Sequence, residues 1–430
     1  MENHDLLLVR GGTPLTGELT AYRAKNSALY LMLAALLTDE PVVLHDVPRL
    51  SDVLVSEEIL RHVGLATRWE GHDLHLHAAN LRTHHAPYSL VSKMRASFVI
   101  MGALLARTGE ARVSMPGGCA FGPRPVDRHL EAFQALGASI VEEDGDFYAK
   151  RTGKLQGVVR FEAPTVGGTQ NVLLASALGA GEVVIENAAR EPEVPDLANM
   201  LNAMGADVRG AGTSVITVVG APRLRGVHHR PIADRIEAGT YLLAAAATRG
   251  AITLSDLEPA HLTAVLDTLE RTGVEVRRGA DSVSIDATGP LRPVDVAARE
   301  YPGVPTDLQA PFSAYLATLP GLSRVSVHVY PDRFTHVEEL ARAGARLSLE
   351  DGTLEIRGGP LRGAAMYAAD IRAGGALVVA ALAAEGLSEV GGMRFVDRGY
   401  ERLAERLRAL GARVERAVTP PLAATGTYGA

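Results

Sequence analysis

Ala203-Met204-Gly205-Ala206-Asp207 is one of six related elements in this 430-residue sequence, in each of which a helical pattern ends at an apolar-Gly-apolar step. The other five copies are His62-Val63-Gly64-Leu65-Ala66, Ala135-Leu136-Gly137-Ala138-Ser139, Arg271-Thr272-Gly273-Val274-Glu275, Arg342-Ala343-Gly344-Ala345-Arg346 and Ala409-Leu410-Gly411-Ala412-Arg413. Their glycines are spaced by 73, 68, 68, 71 and 67 residues, which is typical of a supersecondary unit rather than of a solenoid repeat. Because glycine adopts the left-handed conformation that closes a last helical turn, each copy predicts a helix C-terminus.

The residues around each glycine extend this element into a longer repeating unit. Alternating strand residues with a Gly-containing turn follow it, as in 138–149 and 345–357, and predict a β-hairpin. A small-residue-rich apolar helix, a strand and an amphipathic helix precede it. One unit is therefore βαβαββ, and six units divide most simply into two similar α/β (α+β) domains of three units each.

The boundary between the two domains is expected near 225–231, a short polar stretch typical of a hinge. We expect an N-terminal domain at 23–230, a C-terminal domain at 231–418, and a disordered tail at 419–430. The strand predicted at 5–9 precedes the first unit, and we expect residues 1–22 to complete the C-terminal domain. A cleft between two such domains is a favoured ligand site.

The composition is that of an ordinary globular protein, with 47% hydrophobic and 22% charged residues. The longest apolar runs, 28–37 and 238–247, are far shorter than the roughly 20 residues that span a bilayer, and they predict buried helices. The first residues lack the basic and apolar segments of a signal peptide, which favours a cytoplasmic location. A net charge of -7 without a Lys/Arg-rich run argues against nucleic-acid binding.

The most unusual segment runs from Ser114 to Asp127 and contains the only cysteine, Cys119, among three glycines and three prolines. This composition predicts an exposed loop that can act as a lid. Arg124 is close in sequence, and a nearby cation favours the thiolate and makes a cysteine reactive. The alternative is a buried, inert cysteine, which this loop disfavours. A single cysteine excludes an intrachain disulfide and fits a reducing compartment.

Basic residues stand at the predicted starts of three repeat helices: Lys25 with Asn26, Arg95, and Arg372. A cation beside the free N–H groups of a helix N-terminus forms an anion site. The segment 163–169 offers further N–H groups to a phosphate, although it lacks the lysine of a P-loop. Recurrence at equivalent positions favours an anion site over a solvated face.

Acids take the corresponding positions in the fourth and fifth units, at Asp234, Glu237 and Asp307. A carboxylate near bound anions and a sugar hydroxyl is suited to general-base catalysis. Asp is also a favoured N-cap at a helix start. Both interpretations stay open for Asp307, and the cap is favoured for Asp234.

His75 and His77 share one face of a predicted strand, which raises the question of a metal site. No further ligand is identifiable in the sequence, so we expect no metal. A dinucleotide-binding fingerprint and a P-loop are likewise missing from the sequence.

These motifs resemble those of the UDP-N-acetylglucosamine 1-carboxyvinyltransferases, a group within the enolpyruvyl transferase family. The resemblance spans nearly the whole chain and covers Lys25-Asn26, Met94-Arg95-Ala96-Ser97, Pro116-Gly117-Gly118-Cys119, Arg124-Pro125-Val126-Asp127, Glu186 to Glu193, Asp234 to Gly239, Pro305-Thr306-Asp307-Leu308-Gln309 and Asp397 to Arg402. It implies two inside-out α/β barrel-like domains, with the N-terminal strand in the C-terminal domain. It also implies transfer of the enolpyruvyl group of phosphoenolpyruvate to UDP-N-acetylglucosamine with release of phosphate, the first committed step of peptidoglycan synthesis. Neither a metal nor an organic cofactor is implied, and the substrates close the two domains.

The resemblance implies a role for each matching position. Cys119 protonates the methylene carbon of phosphoenolpyruvate, can form a covalent adduct with it and is the target of epoxides such as fosfomycin. Asp307 takes the proton of the sugar 3-hydroxyl. The positions implied to hold phosphoenolpyruvate are Lys25, Arg124 and Arg398, and those implied to support closure and charge are Arg95, Arg333 and Arg372. The positions implied to contact the UDP-sugar are Asn26, Asp307 and Val329 for the sugar, and Arg124, Pro125, Val126, Asp127, Thr165, Val166 and Gly167 for uridine and diphosphate.

The sequence departs from the pattern of this group at a few positions. Tyr30 stands where proline is common, Phe121-Gly122-Pro123 replaces Ile-Gly-Ala, and Arg128 replaces an apolar residue. The segment 327–333 also differs around Arg333. These changes concern the loop and the sugar pocket more than the chemistry, because every implied catalytic position is filled.

Two other functions remain open at this point. A 3-phosphoshikimate 1-carboxyvinyltransferase would share the fold, the donor and the reaction type, but the cysteine loop argues against it. A catalytically silent paralogue would bind UDP-sugars as a regulator or scaffold. The sequence leaves the oligomeric state open, and we favour a monomer.

Overall fold

A computed structural model describes residues 4–116, 126–179, 181–327 and 333–419 of the chain. Its strands are β1 (His4–Arg10), β2 (Thr16–Thr20), β3 (Val42–Leu44), β4 (Ala66–Glu70), β5 (Asp73–His77), β6 (His85–Ala86), β7 (Glu110–Ser114), β8 (Ala138–Glu143), β9 (Asp146–Arg151), β10 (Gly157–Arg160), β11 (Glu182–Glu186), β12 (Asp207–Arg209), β13 (Val215–Val219), β14 (His228–His229), β15 (Ala251–Ser255), β16 (Glu275–Arg278), β17 (Ser282–Asp286), β18 (Val296–Ala298), β19 (Gly321–Val327), β20 (Arg346–Glu350), β21 (Thr353–Gly358), β22 (Ala365–Tyr367), β23 (Leu387–Gly391) and β24 (Arg413–Thr419).

Helices alternate with these strands along the chain. The α-helices are α1 (Lys25–Ala34), α2 (Ser51–Val63), α3 (Tyr88–Val91), α4 (Ile100–Thr108), α5 (Asp127–Ala135), α6 (Val166–Ala177), α7 (Glu193–Met204), α8 (Arg235–Ala247), α9 (Thr263–Thr272), α10 (Gln309–Leu316), α11 (Val337–Arg342), α12 (Ile371–Ala383), α13 (Met393–Val396) and α14 (Leu403–Ala409). Short 3-10 helices lie at Ala35–Leu37, Arg95–Val99, Pro259–Leu262 and Thr306–Leu308.

Within the described ranges, the strands form six sheets of four strands that share one arrangement. Their orders are β14-β3-β5-β4, β6-β7-β9-β8, β10-β11-β13-β12, β2-β15-β17-β16, β18-β19-β21-β20 and β22-β23-β1-β24. In each sheet the first two strands are parallel and the remaining pairs are antiparallel. The α/β fold class is therefore confirmed, and the predicted βαβαββ unit is contiguous in three of these sheets. In each of the other three, one strand comes from a distant part of the chain, namely β14, β2 or β1.

The central helices lie inside these sheets, which explains their apolar sequences. Helices α1, α4 and α6 contact one another, and so do α8, α10 and α12. Every residue of α8 and of α10 is buried, so these helices have no solvent-facing stripe. Both long apolar runs of the sequence form buried helices, as predicted.

The repeated glycines close the outer helices. Gly64, Gly205 and Gly273 are the C-caps of α2, α7 and α9, with φ of 111°, 115° and 101°. The other three repeat glycines also have positive φ, and each is the second residue after the end of α5, α11 or α14. The six predicted helix C-termini are confirmed, because each glycine has the left-handed conformation that closes a helix.

The buried hydrophobic residues form two clusters. One lies within 28–224, and the other combines 7–21 with 233–414. Strand β1 is hydrogen-bonded between β23 and β24, and β2 pairs with β15, so the N-terminal strands belong to the second cluster. We propose on this basis that the domains are 23–230 and 1–22 with 231–418.

Two chain segments run side by side between these cores. The N–H of Ala24 donates to the carbonyl of Ile232 at 2.7 Å, and the N–H of Asp234 donates to the carbonyl of Tyr22 at 2.8 Å. Arg230 donates to both carboxylate oxygens of Asp256, at 2.9 and 2.6 Å. The stretch 225–231 is not wholly irregular, because β14 pairs with β3 there.

No described helix is long and apolar enough to cross a bilayer.

The position of β1 makes a testable prediction about stability. Leu7 is 0% exposed and lies opposite Val390 of β23, so Leu7→Ala should lower the free energy of unfolding by about 2–4 kcal/mol. Leu8→Ala is the matched control, because Leu8 faces the other side of the strand and is only half-buried. Denaturant unfolding of both variants measures the difference, and equal losses would contradict the placement of β1.

Candidate active site

The basic residues that the sequence predicts at helix starts do lie at the starts of helices. Lys25 is the first residue of α1, Arg95 opens the 3-10 turn before α4, and Arg372 is the second residue of α12. Lys25 and Arg372 are buried, whereas Arg95 is half-buried and has a partner. Asn26 is half-buried beside Lys25. Two cations are thus enclosed at the N-termini of central helices, where an anion would be favoured.

Lys25 and Arg398 contact one carboxylate, that of Asp52 in the first turn of α2. Lys25 Nζ lies 2.9 Å from Asp52 Oδ2, and Arg398 Nε lies 2.8 Å from Asp52 Oδ1. Burial alone would raise the pKa of Asp52, but Lys25 and Arg398 outweigh burial and lower that pKa. Asp52 is therefore an ionised carboxylate between two cations.

Asp307 forms a second cluster of this kind. Arg333 Nη1 donates to Asp307 Oδ1 at 2.7 Å, and Arg372 Nη2 donates to Asp307 Oδ2 at 2.9 Å. Burial would raise the pKa of Asp307, but Arg372 and Arg333 hold the pKa well below its usual range. The structure thus brings three residues of the sequence-derived site into direct contact.

The two interpretations of the acids at helix starts can now be separated. Asp234 caps α8, since its Oδ1 accepts from the N–H groups of Ile236 and Glu237, each at 2.9 Å. No side chain caps the 3-10 turn that contains Asp307. The cap interpretation is confirmed for Asp234 and wrong for Asp307, whose carboxylate contacts arginines instead.

Glu237 is enclosed in the interior and is unsuited to a reaction at the surface of a cleft. Burial raises its pKa to about 8, so it is mostly protonated at neutral pH. Arg406 Nε lies 3.6 Å from Glu237 Oε1. This pair belongs to the core around α8 rather than to the clusters at Asp52 and Asp307.

Two segments assigned to uridine and diphosphate approach each other. Val126 is the N-cap residue of α5 and Asp127 begins that helix, while Thr165 caps α6 by accepting from the N–H of Gly168 at 3.3 Å. His129 joins the segments, because its Nδ1 lies 2.9 Å from Asn171 Nδ2. A Cβ at Gly167 would lie 3.3 Å from His129, so Val166 and Gly167 are close to α5.

His129 is held neutral in this contact. Burial, reinforced by the positive charge of Arg95, lowers the pKa of His129 to about 4. Phe98 packs edge-on against the imidazole, with ring centroids 5.5 Å apart. The neutral imidazole therefore links α5 to α6 without adding a positive charge.

A cavity of about 200 Å³ lies between α5 and the end of β10. Arg128, Glu131, Phe161 and Glu162 are among the side chains that line it. Arg128 makes no hydrogen bond or ion pair within the part of the chain that the structure describes. The departure at position 128 therefore adds a cation to the wall of this cavity.

Some predicted site residues lie outside the described ranges. These are Cys119, Arg124, Pro125 and Val329, together with the departures at Phe121, Pro123 and most of 327–333. The geometry described above concerns the remaining predicted residues.

Sequence reasoning missed Asp52 and Glu193. Glu193 forms a buried pair with Arg235, whose Nε and Nη2 lie 3.1 and 3.3 Å from its carboxylate oxygens. Both acids lie in the first turns of amphipathic helices, where acids are common for local reasons. Glu193 lies in the motif Glu186 to Glu193 but was given no role, and no signal in the sequence distinguishes Asp52, because its partner Arg398 is distant along the chain.

The metal interpretation finds no support among the described residues. They contain no group of three His, Cys, Asp or Glu side chains that could hold a metal ion. His75 lies near Glu70, and His77 contacts the carbonyl of Asp39 at 3.0 Å. The absence of a cofactor remains a prediction.

Comparison with known proteins identifies the relatives of this arrangement. A family model described as EPSP synthase (3-phosphoshikimate 1-carboxyvinyltransferase) matches residues 9–407. The chain is 57% identical over 415 residues to a UDP-N-acetylglucosamine 1-carboxyvinyltransferase of Thermus thermophilus, covering 96% of this chain and 97% of that protein. It is 50% identical over 410 residues to the protein of the same name in Deinococcus radiodurans, covering 95% of this chain and 96% of that protein.

Solved structures agree with this grouping. The enolpyruvyl transferase NikO from Streptomyces tendae is 26% identical with a TM-score of 0.88, covering 97% of this chain and 100% of that chain. EPSP synthase from Acinetobacter baumannii is 18% identical with a TM-score of 0.74, covering 96% of this chain and 100% of that chain. The second likeness concerns the fold.

The charge cluster at Asp307 predicts a pH-dependent stability difference. Asp307→Asn should lower the free energy of unfolding at pH 7 by about 2–3 kcal/mol, because two buried arginines lose their carboxylate. A carboxyl whose pKa is lowered on folding stabilises above its ordinary pKa of 3.8 and loses this effect as pH falls below that value. The difference from wild type should therefore shrink as pH falls below about 4.

Denaturant unfolding at a series of pH values measures this difference. Asp144→Asn is the control, because Asp144 is exposed in the turn between β8 and β9 and should show little effect at any pH. A difference for Asp307→Asn that stays constant down to pH 3 would contradict the ionised pairing.

Proposed function

The chain belongs to the enolpyruvyl transferase family, and on that premise we propose that it transfers the enolpyruvyl group of phosphoenolpyruvate to the 3-hydroxyl of UDP-N-acetylglucosamine, releasing phosphate. This is the first committed step of peptidoglycan synthesis. The observation that carries the proposal is the near full-length similarity to UDP-N-acetylglucosamine 1-carboxyvinyltransferases, at identities far above those shared with EPSP synthases.

The donor site is proposed at Lys25, Arg124 and Arg398. Support comes from the contact of Lys25 and Arg398 with one carboxylate, which places an ammonium and a guanidinium side by side. Guanidinium groups bind carboxylate and phosphate oxygens through two parallel hydrogen bonds. Cationic donors also stabilise the charge that develops during addition to phosphoenolpyruvate.

Asp307 is proposed as the base that accepts the proton of the sugar 3-hydroxyl. In the substrate-free protein its carboxylate is ionised but weakly basic, because Arg333 and Arg372 lower its pKa. A general base works best with a pKa near the operating pH. Arg333 and Arg372 are therefore expected to turn towards substrate anions, which raises the basicity of Asp307 when both substrates are bound.

Cys119 is proposed as the acid of the addition step. The sugar oxygen bonds to C2 of phosphoenolpyruvate, C3 gains the thiol proton, and Asp307 takes the hydroxyl proton. Elimination then breaks the bond between C2 and the phosphate oxygen while C3 returns a proton to the Cys119 thiolate, which restores the double bond, and the proton held by Asp307 leaves with the phosphate. Phosphate leaves, and no external oxidant or reductant is needed.

The UDP moiety is proposed to lie along the start of α5 and the start of α6. The segments 126–127 and 165–167 lie at the starts of these two helices, which His129 and Asn171 join, and this supports the position. The free N–H groups at the start of α6 suit diphosphate oxygens. Asn26 and Val329 are proposed to contact the sugar.

The remaining properties follow from the same proposal. We propose that the enzyme works in the cytoplasm as a monomer and uses neither a metal nor an organic cofactor. Its partners are then the two small-molecule substrates alone.

Acceptor specificity is the first prediction of this function. Phosphate release from phosphoenolpyruvate should occur with UDP-N-acetylglucosamine and not with shikimate 3-phosphate or without an acceptor, in buffer that contains a metal chelator. Release with shikimate 3-phosphate alone would identify the other carboxyvinyltransferase. No release with either acceptor, despite binding of the UDP-sugar, would indicate the catalytically silent paralogue.

Substitution of Cys119 tests the proposed acid. Cys119→Ser should lower turnover by about 10²–10⁴-fold, since that is the usual contribution of a positioned general acid. Cys119→Asp should keep measurable turnover, because a carboxyl group also donates a proton, and it should resist fosfomycin. Steady-state kinetics and time-dependent inactivation measure both effects, and unchanged turnover in Cys119→Ser would remove Cys119 from the mechanism.

A further inference from the structure

Asp52 makes the contacts expected of a group that holds the two cations of the proposed donor site in place. Its two oxygens accept from Lys25 Nζ at 2.9 Å and from Arg398 Nε at 2.8 Å. The Asp52 side chain is 8% exposed and that of Arg398 is 37% exposed. The carboxylate is thus enclosed while one of its cations reaches the solvent.

The donors that Asp52 leaves unused are the ones an incoming anion needs. Arg398 contacts Asp52 through Nε, and its Nη1 and Nη2 atoms donate to no residue that the structure describes. These two atoms form an edge of a guanidinium that matches the oxygens of a carboxylate or phosphate. Lys25 likewise uses one of its three ammonium hydrogens on Asp52 among the described residues.

The contact also joins distant parts of the chain. Lys25 and Asp52 lie in the first turns of α1 and α2, with the first hydrophobic cluster, whereas Arg398 follows α13 and lies with the second. Without Asp52, the ammonium and the guanidinium would repel each other, and no shared carboxylate would fix their relative position. Asp52 is itself stabilised by its position in the first turn of α2, near the positive end of the helix dipole.

We propose that Asp52 is a positioning residue, whose carboxylate holds the Lys25 ammonium and the Arg398 guanidinium so that their remaining donors bind one phosphoenolpyruvate anion. This inference rests on the proposed function and deepens it. Asp52 does not contact the reacting atoms in this arrangement. It holds the two cations beside one carboxylate and lowers their net charge by one.

The variant Asp52→Asn tests the role of the negative charge with little change in shape. The Michaelis constant for phosphoenolpyruvate should rise about 10- to 100-fold, because two charge-assisted hydrogen bonds are weakened. The Michaelis constant for UDP-N-acetylglucosamine should change less than about 2-fold, because that substrate is bound elsewhere. A loss of general stability would instead leave both Michaelis constants of the folded fraction unchanged.

Glu57→Gln is a matched control on the same helix. Glu57 is also a buried acid of α2, but it accepts from Thr67 Oγ1 at 2.5 Å and from Trp69 Nε1 at 3.0 Å, away from the donor-site cations. Its Michaelis constant for phosphoenolpyruvate should stay within about 2-fold of wild type. An increase equal to that of Asp52→Asn would overturn the inference.

A double-variant comparison tests whether Asp52 acts through Arg398. Asp52→Asn should raise the Michaelis constant for phosphoenolpyruvate by a several-fold smaller factor in protein that carries Arg398→Gln, because the interaction is already lost there. An equal increase of this Michaelis constant with and without Arg398→Gln would overturn the inference. Asp52→Glu, which keeps the charge, should recover part of the affinity and serves as the second variant where Asp52→Asn fails to fold.

The inference and the proposed function fail in distinguishable ways. Wild-type protein that releases no phosphate with the UDP-sugar contradicts the proposed function, whatever Asp52 does. Wild-type protein that turns over, combined with an unchanged Michaelis constant for phosphoenolpyruvate in Asp52→Asn, overturns only the role of Asp52.

Discussion

Enclosed cations at the starts of the central helices each contact a carboxylate from another part of the chain. Asp52 neutralises Lys25, Asp307 neutralises Arg372, and Glu193 neutralises Arg235. Moving an ion from water into a protein interior costs several kcal/mol, and only a well-placed counter-charge with good hydrogen bonds offsets that cost. The helices can therefore begin where they do only if α2, α7 and the turn before α10 supply their acids. The arrangement encloses strongly charged groups in an otherwise apolar centre, where the proposed function would use them to bind anionic substrates.

The apolar centre itself depends on small side chains in the helices that the sheets surround. A Cβ at Gly239 would lie 2.5 Å from Leu308, and one at Gly375 would lie 2.5 Å from the hydroxyl of Tyr400. Both glycines let α8 and α12 approach their neighbours, and so they set how closely the helix starts converge. Packing in the core and electrostatics at the site are consequently linked, because a helix that moved outward would separate its cation from its acid.

The paired segments between the two cores lead directly into this centre. Lys25 directly follows the first segment, and Arg235 directly follows the second. A rotation about these segments would therefore act first on residues at the helix starts. Arg398, which belongs with the second core, contacts Asp52 in the first, so the proposed donor site would need residues of both cores. Substrate binding at this position would favour that approach, since a bound anion contacts cations from each side.

The sequence by itself determined the repeating unit, because glycine periodicity and hairpin turns are local consequences of backbone conformation and need no tertiary information. It also located Lys25, Arg95 and Arg372 at helix starts, and the resemblance to a known family supplied the reaction. Only the tertiary structure decided that Asp307 pairs with two arginines rather than capping a helix, and that Asp52 joins Lys25 to Arg398. The partners of Asp52 lie 27 and 346 residues away, and an acid in the first turn of a helix looks the same in sequence whether its counter-charge is solvent or a distant cation.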